Sequence, residues 1–210
     1  VQSNRSEVLF VDYIAEHLTA NGRAAVIVPE GIIFQSGKAY KQLRKKLVEE
    51  CLVGVISLPA GVFNPYAGVK TSILWLDKAL AKKTDKIVFL KIENDGFDLG
   101  AQRRVIKNND IPAALHILLQ YRLQLDYERN SSIDSRYTGS LVPRTEISAT
   151  GEYNLSGEKY RSLEVGIGRF PHVPFGDVCT INPLKAEIKD RDKNLDVSFL
   201  PMADMLENQP

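Results

Sequence analysis

Two nearly uninterrupted apolar segments constrain the fold of this chain more than any other feature: RAAVIV at 23–28 and LVGVISL at 52–58. A strand that is apolar throughout is typical of a sheet covered on both faces. Between the two segments, apolar residues recur at three- and four-residue spacing, which predicts a helix over about 37–50. Strand–helix–strand order of this kind predicts an α/β fold with a largely parallel sheet.

Two further apolar segments, at 69–76 and 86–91, are predicted to be strands. The connection between 52–58 and 69–76 is too short for a crossover helix, so these two strands should form an antiparallel hairpin at the edge of the sheet. Helices are predicted over 6–18, with Ser6 as its cap, and over 111–125, with Asp110 as its cap.

Charge and cysteine content limit the functional classes. The formal net charge is +1, so an anionic partner has to be met by a local patch rather than by the whole surface. The two cysteines, Cys51 and Cys179, show no metal-binding or disulfide pattern and are predicted to be free thiols in the cytoplasm. No apolar run reaches the roughly 18 residues that span a bilayer. No set of residues has the spacing of a metal site or of a Ser-His-Asp triad.

The loop PAGVFNPYAG, residues 59–68, carries Phe63 and Tyr66 between two buried strands. Ligands of open α/β sheets bind beyond the carboxyl ends of the strands. An exposed aromatic side chain there could stack on a flat ligand, such as a nucleobase extruded from a duplex. The alternative is that Phe63 and Tyr66 close the end of the hydrophobic core.

Two long segments resemble a known family. GRAAVIVPEGIIF at 22–34 and RKKLVEECLVGVISLPAGVFNPYAGVKTSILWLD at 44–77 resemble the modification subunit of type I restriction–modification systems, an adenine-N6 DNA methyltransferase. The segments NNDIP at 108–112 and GEYNLSGEKY at 151–160 resemble sequences that follow the catalytic domain of these subunits. The resemblance extends over roughly residues 5–165.

The resemblance implies a Rossmann-like methyltransferase sheet that uses S-adenosylmethionine. The glycine turn that binds this cofactor and the catalytic Asn-Pro-Pro-[Phe/Tyr] lie upstream in the family, and no Asn-Pro-Pro occurs in these 210 residues. The expected organisation is therefore the C-terminal half of a catalytic domain (1–92), a helix with an extended connecting arm (93–168) and a further segment (169–210). No catalytic, cofactor-binding or metal-binding residue is assigned, and this chain alone is expected to be inactive.

The resemblance also implies site residues. Phe63 occupies the position of an aromatic residue that stacks on the flipped adenine, and Tyr66 is the second candidate. Lys70 could approach a phosphate beside that nucleotide, although a solvated lysine is the alternative. The basic helix is expected to contact the DNA backbone through three lysines, unless it is only a solvated face: Lys38, Lys41 and Lys45.

The last part of the chain has a separate resemblance. VPFGDVCTINPLK and VSFLPMADM, within 169–210, resemble the start of a target recognition domain from a specificity subunit. The alternative is that residues 170–210 are the C-terminal region of the modification subunit itself. The implied partners are double-stranded DNA, a specificity subunit or fused recognition domain, and a restriction subunit; no membrane partner is expected. Two alternatives remain: a non-catalytic module that docks a specificity subunit through 111–125 and 128–165, and half of an unrelated α/β enzyme.

Overall fold

The computed structural model describes residues 1–126 and 139–160, with side chains described through residue 123 and from residue 140. These residues belong to one compact unit, Val1–Ser162. The predicted recognition domain at 169–210 and Cys179 lie outside the described residues.

The described chain alternates short helices and strands. The helices are α1 (Ser6–His17), α2 (Glu30–Phe34), α3 (Lys38–Glu50), α4 (Lys78–Ala81), α5 (Ile111–Asp126) and α6 (Arg144–Ser148), with a 3₁₀ turn at Gly157–Tyr160. The strands are β1 (Arg23–Pro29), β2 (Leu52–Ser57), β3 (Thr71–Asp77), β4 (Lys86–Lys91), β5 (Asp95–Phe97), β6 (Val105–Asn109) and β7 (Gly139–Pro143).

Five strands form the main sheet in the order β1-β3-β2-β4-β7, and β5 pairs with β6 as a separate hairpin. The α/β class and the antiparallel β2–β3 pair are confirmed. The pairing differs from the expected, largely parallel sheet, because only β2–β4 is parallel. β3 is not at an edge; it lies between β1 and β2 and runs against both. β1, β2 and β4 therefore still run in the same direction.

The sheet has a hydrophobic core on each face. On β3, Leu74 and Leu76 belong to the core that includes residues of α1 and α3, while Ile73 and Trp75 pack with the core that includes α5. The second face is only partly covered. Ile27 on β1 is 53% exposed, and an apolar groove of about 400 Å³ runs between the β1–β3 face and α5.

Two helix starts differ from the sequence expectation. Ser6 is the first helical residue of α1, and no side chain caps that end. The Asp110 carboxylate accepts hydrogen bonds from the backbone N–H groups of Glu93 and Asn94, so it fixes the chain before the hairpin. The Asn109 side chain takes the first amide of α5 instead, at Ile111.

The segment expected to be an extended arm contributes to the main sheet and its core. β7 pairs antiparallel with β4 along its whole length. Beyond α6, Leu155 is fully buried, and its N–H donates to the carbonyl of Ile33 on α2. This segment is rich in polar residues, so its local hydrophobic pattern does not predict that it packs against the core.

None of the described helices combines the length and the apolar character needed to cross a membrane.

Candidate nucleic-acid interface

The carboxyl ends of β1, β2 and β4 meet at one edge of the sheet, because these three strands run in the same direction. α2 follows β1 at this edge, the loop 58–70 follows β2, and the β5–β6 hairpin follows β4. We call this side of the molecule the carboxyl edge. It is where an open α/β sheet places its ligands.

The loop 58–70 is held by its own backbone. The N–H of Asn64 donates to Gly61 O at 2.9 Å, and Phe63 O accepts from Tyr66 and Ala67 at 2.9 and 3.1 Å. Gly61 has φ +82°, a conformation that favours glycine, and a Cβ there would lie 2.8 Å from the side-chain amide nitrogen of Asn64. The Asn64-Pro65 peptide is cis. The loop therefore presents its side chains from a defined backbone.

The two aromatic residues of the loop face solvent to different extents. Tyr66 is 94% exposed and Phe63 is 38% exposed. Val62, one residue earlier, packs against the core beneath α5. Val62 therefore closes this end of the hydrophobic core. Tyr66 does not close it, because its side chain is almost entirely exposed.

Asn64 connects the loop to the β5–β6 hairpin. Its side-chain amide donates to the backbone carbonyl of Leu99 at 2.7 Å. Leu99 lies in the turn between β5 and β6 and is 47% exposed. Asn64 is therefore a positioning residue that fixes the hairpin turn beside Phe63.

Lys70 connects the other end of the loop to Glu30, the first residue of α2 directly after β1. Its ammonium lies 3.5 Å from Glu30 Oε1, and its backbone carbonyl accepts from the N–H of Glu30 at 3.2 Å. The second carboxylate oxygen of Glu30 is buried and has no hydrogen-bond partner among the described residues. Lys70 is thus held by a carboxylate at the edge where the sequence predicts a phosphate contact.

The sequence also matches a protein family. Residues 1–165 match the family described as N-6 DNA Methylase, which covers all of the described residues. The chain belongs to the N-6 DNA methylase family.

The relatives of this N-6 DNA methylase chain are considerably longer. The type I restriction enzyme EcoEI methylase subunit of Escherichia coli is 44% identical over 84 residues, which is 40% of this chain and 17% of that protein. A solved type I restriction–modification structure has a TM-score of 0.61 at 23% identity and covers 85% of this chain and 36% of its own. The type I methyltransferase subunit from Streptococcus thermophilus has a TM-score of 0.52 at 26% identity, covering 74% of this chain and 30% of that one.

These matches establish the fold of the methylase chain and the length that it spans. The chain corresponds to about a third of the two solved subunits and 17% of the EcoEI subunit. The predicted half of a methyltransferase sheet agrees with the solved methyltransferase subunit from Streptococcus thermophilus.

Two of the described cavities do not fit S-adenosylmethionine. The cavity at the carboxyl edge has a volume of about 30 Å³ and is lined by Glu30, Lys70, Lys91 and Glu158. That is room for about two water molecules, whereas ligand pockets have volumes of about 300–1,000 Å³. The groove of about 400 Å³ beside α5 is lined almost entirely by apolar side chains, which do not suit a charged sulfonium and carboxylate.

A third cavity, of about 360 Å³, lies at the base of α5. Its polar groups include Asn109 Oδ1 and Asp110 Oδ2, which already accept backbone amides. Across residues 1–126 and 139–160, no group of three or more His, Cys, Asp or Glu side chains could hold a metal ion.

The predicted DNA-binding lysines of α3 are placed unequally. Lys41 pairs with Glu152, and Lys45 lies 4.0 Å from Glu49 on the same helix. Lys38, the first residue of α3, is exposed and has no ion pair with a carboxylate of the described residues. The DNA contacts of these lysines stay predictions.

Arg44, in the middle of the same helix, is fully buried. Its guanidinium donates to the carbonyls of Ile32, Glu152 and Tyr153 at 3.2, 2.8 and 2.9 Å. Burial lowers the pKa of Arg44, while the nearby Glu152 and Tyr160 raise it. Arg44 therefore joins α2, α3 and the segment after α6, and it is unavailable to a nucleic acid.

Two contributors to the carboxyl edge are missing from the sequence prediction. Glu30 directly follows the apolar strand β1 at its carboxyl end, and that position was a signal for a site residue. Asn64 carries no such signal, because its partner Leu99 is 35 positions away and offers only a backbone carbonyl.

Proposed function

We propose that this chain is part of a site-specific DNA methyltransferase that transfers a methyl group from S-adenosylmethionine to adenine N6 in a restriction–modification system. The observation that carries the proposal is the loop 58–70, which presents Phe63 and Tyr66 at the carboxyl edge from a backbone held by its own hydrogen bonds. Membership in the N-6 DNA methylase family supports the chemistry.

In this proposal, Phe63 stacks on the adenine that has been rotated out of the duplex. Stacking of a base on an aromatic side chain contributes about 1–3 kcal/mol, which offsets part of the cost of unstacking the base. Tyr66, with its ring almost entirely exposed, is the second candidate. A preformed loop suits this role, because little further ordering is needed when the base arrives.

Glu30 and Lys70 hold the loop in place in the proposed complex. Their ion pair and backbone hydrogen bond join the end of β1 to the start of β3. Lys70 is 38% exposed in its side chain, so its ammonium can approach a phosphate beside the extruded nucleotide while it remains near Glu30. This would add salt-sensitive affinity that is independent of sequence.

The cofactor and the catalytic asparagine are proposed to come from sequence outside these 210 residues. Neither the small cavity at the carboxyl edge nor the apolar groove beside α5 fits S-adenosylmethionine, and no Asn-Pro-Pro occurs in the chain. The cofactor supplies the methyl group that is transferred. The chain alone is therefore proposed to bind DNA without methylating it.

The outer edge of β1 is the proposed junction with the remainder of the methyltransferase sheet. β1 pairs only with β3 within the described chain, and Ile27 is exposed beside the apolar groove. An unpaired edge with apolar side chains favours the addition of another strand. The longer relatives have the sequence length that such a junction needs.

A second candidate function is docking of another subunit without catalysis. α5 exposes an apolar residue at every fourth position, each between 46 and 55% exposed: Ile111, Leu115, Leu119 and Leu123. This stripe could dock a specificity subunit or a fused recognition domain, with a restriction subunit bound in the larger assembly. A cytoplasmic location is proposed for that assembly.

The test is a titration of the chain with duplex DNA that carries 2-aminopurine in place of the target adenine. We expect binding that weakens steeply with salt and is unchanged by S-adenosylmethionine. Binding that tightens with the cofactor, together with brightening of the base, would show that the claim of a missing cofactor site is wrong. Absence of salt-dependent binding would favour the docking function.

The role of the aromatic loop is tested with a duplex in which 2-aminopurine faces an abasic site, because an unpaired base costs less to extrude. Phe63→Ala should lower the affinity by about fivefold or more. The matched control is Phe10→Ala on α1, a phenylalanine that is 69% exposed and distant in sequence from the loop. Equal effects of the two substitutions, or loss only in Tyr66→Ala, would remove Phe63 from the proposed role.

A further inference from the structure

The β5–β6 hairpin is an exposed element at the carboxyl edge that the aromatic loop does not account for. β2 and β4 are parallel neighbours, so the loop after β2 and the hairpin after β4 leave the sheet side by side. The hydrogen bond from Asn64 to Leu99 O, 2.7 Å long, holds the hairpin turn against the loop. Any duplex that presents a base to Phe63 must therefore pass close to this hairpin.

The acidic side chains of the hairpin are directed into its own structure. Asp95 is buried and pairs with Arg103. Asp98 Oδ1 accepts the N–H groups of Gly100 and Arg104, each at 3.1 Å. Asp110 Oδ2 accepts two backbone amides at the base. All three carboxylates thus have internal partners.

The internal cation of the hairpin is Arg103. In addition to Asp95, its guanidinium donates to Asp98 O at 2.9 Å and lies 5.5 Å from the centre of the Phe97 ring. These contacts connect β5 to the turn before β6, so this part of the hairpin has a defined shape although every residue of β6 is exposed.

Two cations of the hairpin face outward. Arg104 and Lys107 are exposed, and neither forms an ion pair with a carboxylate of the described residues. The Arg104 guanidinium is oriented by Gln102, whose Oε1 accepts from Nε at 3.2 Å and Nη2 at 2.8 Å. The orientation leaves the remaining guanidinium donors of Arg104 available to an anion.

We propose that the β5–β6 hairpin is a phosphate-contacting element for duplex DNA, with Arg104 and Lys107 on the backbone beside the base that the aromatic loop receives. The proposal rests on the proposed function. Outward cations with inward carboxylates are complementary to a polyanion, and a two-stranded ribbon is narrow enough to lie along the major groove. The hairpin positions the duplex, while the loop contacts the extruded base.

The test measures affinity of the full chain for duplex DNA by fluorescence anisotropy between 50 and 200 mM salt. Arg104→Ala/Lys107→Ala should weaken binding at the lowest salt by about tenfold and reduce the salt slope by about two, close to 0.9 for each lost phosphate contact. Arg104→Lys should keep most of the affinity, because the charge is retained.

The charge-matched control is Lys82→Ala/Lys86→Ala. Both lysines are exposed, and they lie after β3 and at the start of β4, which places them at the opposite edge of the sheet. We expect little change in affinity from this variant. Equal losses in the hairpin and control variants would overturn the proposal, since binding would then follow total charge.

The Phe63→Ala variant separates failure of this proposal from failure of the proposed function. If wild-type protein binds DNA and responds to Phe63→Ala, but the hairpin variant binds as tightly as wild type, the hairpin proposal is wrong and the proposed function stands. If wild-type protein does not bind DNA with a salt dependence, both are wrong. Unfolding curves of each variant should match wild type, and an unfolded hairpin variant is replaced by Arg104→Gln.

Discussion

α3 and the β5–β6 hairpin are both rich in basic residues, but they place those residues differently. α3 has five cations between Lys38 and Lys46. Four of them are taken up by the protein itself: Lys41 by Glu152, Arg44 by backbone carbonyls, Lys45 by Glu49, and Lys46 by Asp12 and Glu16. The hairpin has fewer basic residues, yet its carboxylates are the groups turned inward, and Arg104 and Lys107 face solvent.

The difference shows that a run of basic residues does not by itself define a nucleic-acid surface. Exposed ion pairs contribute little to stability, but each carboxylate partner neutralises a cation that would otherwise attract a phosphate. Apart from Glu49 on α3 itself, the carboxylate partners of these cations come from α1 and from the segment after α6. The helix therefore uses its charges to join elements of the fold.

The largest expected effect is on the stability contributed by Arg44. Arg44→Met should lower the free energy of unfolding by about 3 kcal/mol or more, because it leaves the buried carbonyl of Ile32 and the partly buried carbonyls of Glu152 and Tyr153 without this donor, at about 1–3 kcal/mol for a buried acceptor. Urea unfolding followed by circular dichroism measures the change. Lys45→Met, an exposed position on the same helix, is the control and should change it by less than about 0.5 kcal/mol. Similar losses of unfolding free energy in the two variants would contradict the difference between the buried Arg44 and the exposed Lys45.

A smaller effect is expected from Cys51, which directly follows α3 and is fully buried. Burial, with a further contribution from Glu50, raises the pKa of this thiol from 9.0 to about 11, while Lys78, Arg144 and Lys46 act in the opposite direction. The folded state thus keeps a proton that the unfolded state loses, so this contribution is complete below pH 9 and is lost as the pH rises towards 11. The loss between pH 8 and pH 10 should be about 1 kcal/mol.

This prediction is tested by urea unfolding at pH 8 and at pH 10. The shift of the unfolding midpoint between the two pH values is compared for Cys51→Ala and its parent protein, both of which carry Cys179→Ser. The alanine variant should have the smaller difference. An equal decline in both proteins would mean that other groups set the alkaline limit and that the packing behind α3 is looser than described.

The smallest expected effect is on DNA affinity through α3. Lys41→Ala should change the affinity by less than about twofold, because Glu152 already neutralises this lysine. Lys38→Ala is the informative companion, since Lys38 has no carboxylate partner in the described chain. A loss of several-fold in Lys41→Ala, with a salt slope lower by about one, would restore α3 as a DNA-contacting helix.

Local patterns in the sequence predict the elements of this fold better than their pairing. The strand at 86–91 has the predicted bounds, and α5 differs from 111–125 by one residue. The position of β3 between β1 and β2 was not predicted, because hydrophobic periodicity shows which faces are buried but not which strands are neighbours. β7 was missed because GSLVP has few apolar residues, and its partner β4 lies far from it in sequence.

The same limit applies to the candidate site. The sequence predicts the aromatic loop, since Phe63 and Tyr66 lie beyond the end of a buried strand. It does not predict which lysines are neutralised, because Lys41 and Glu152 are separated by 111 positions. The same holds for the hairpin. Its sequence has three carboxylates and three cations, so the net charge of the segment is zero, and only the structure shows that Arg104 and Lys107 face solvent.

The position of β3 also has a consequence for the order in which the molecule assembles. β1 and β2 are made first, but they have no pairing with each other until β3 enters between them. When it does, Thr71 comes opposite Pro29 on one side and Ser72 comes opposite Ser57 on the other. One event in folding therefore joins β1 to β2 through β3 and brings both ends of the loop 58–70 together, so a nascent chain acquires its aromatic loop only after β3 has paired.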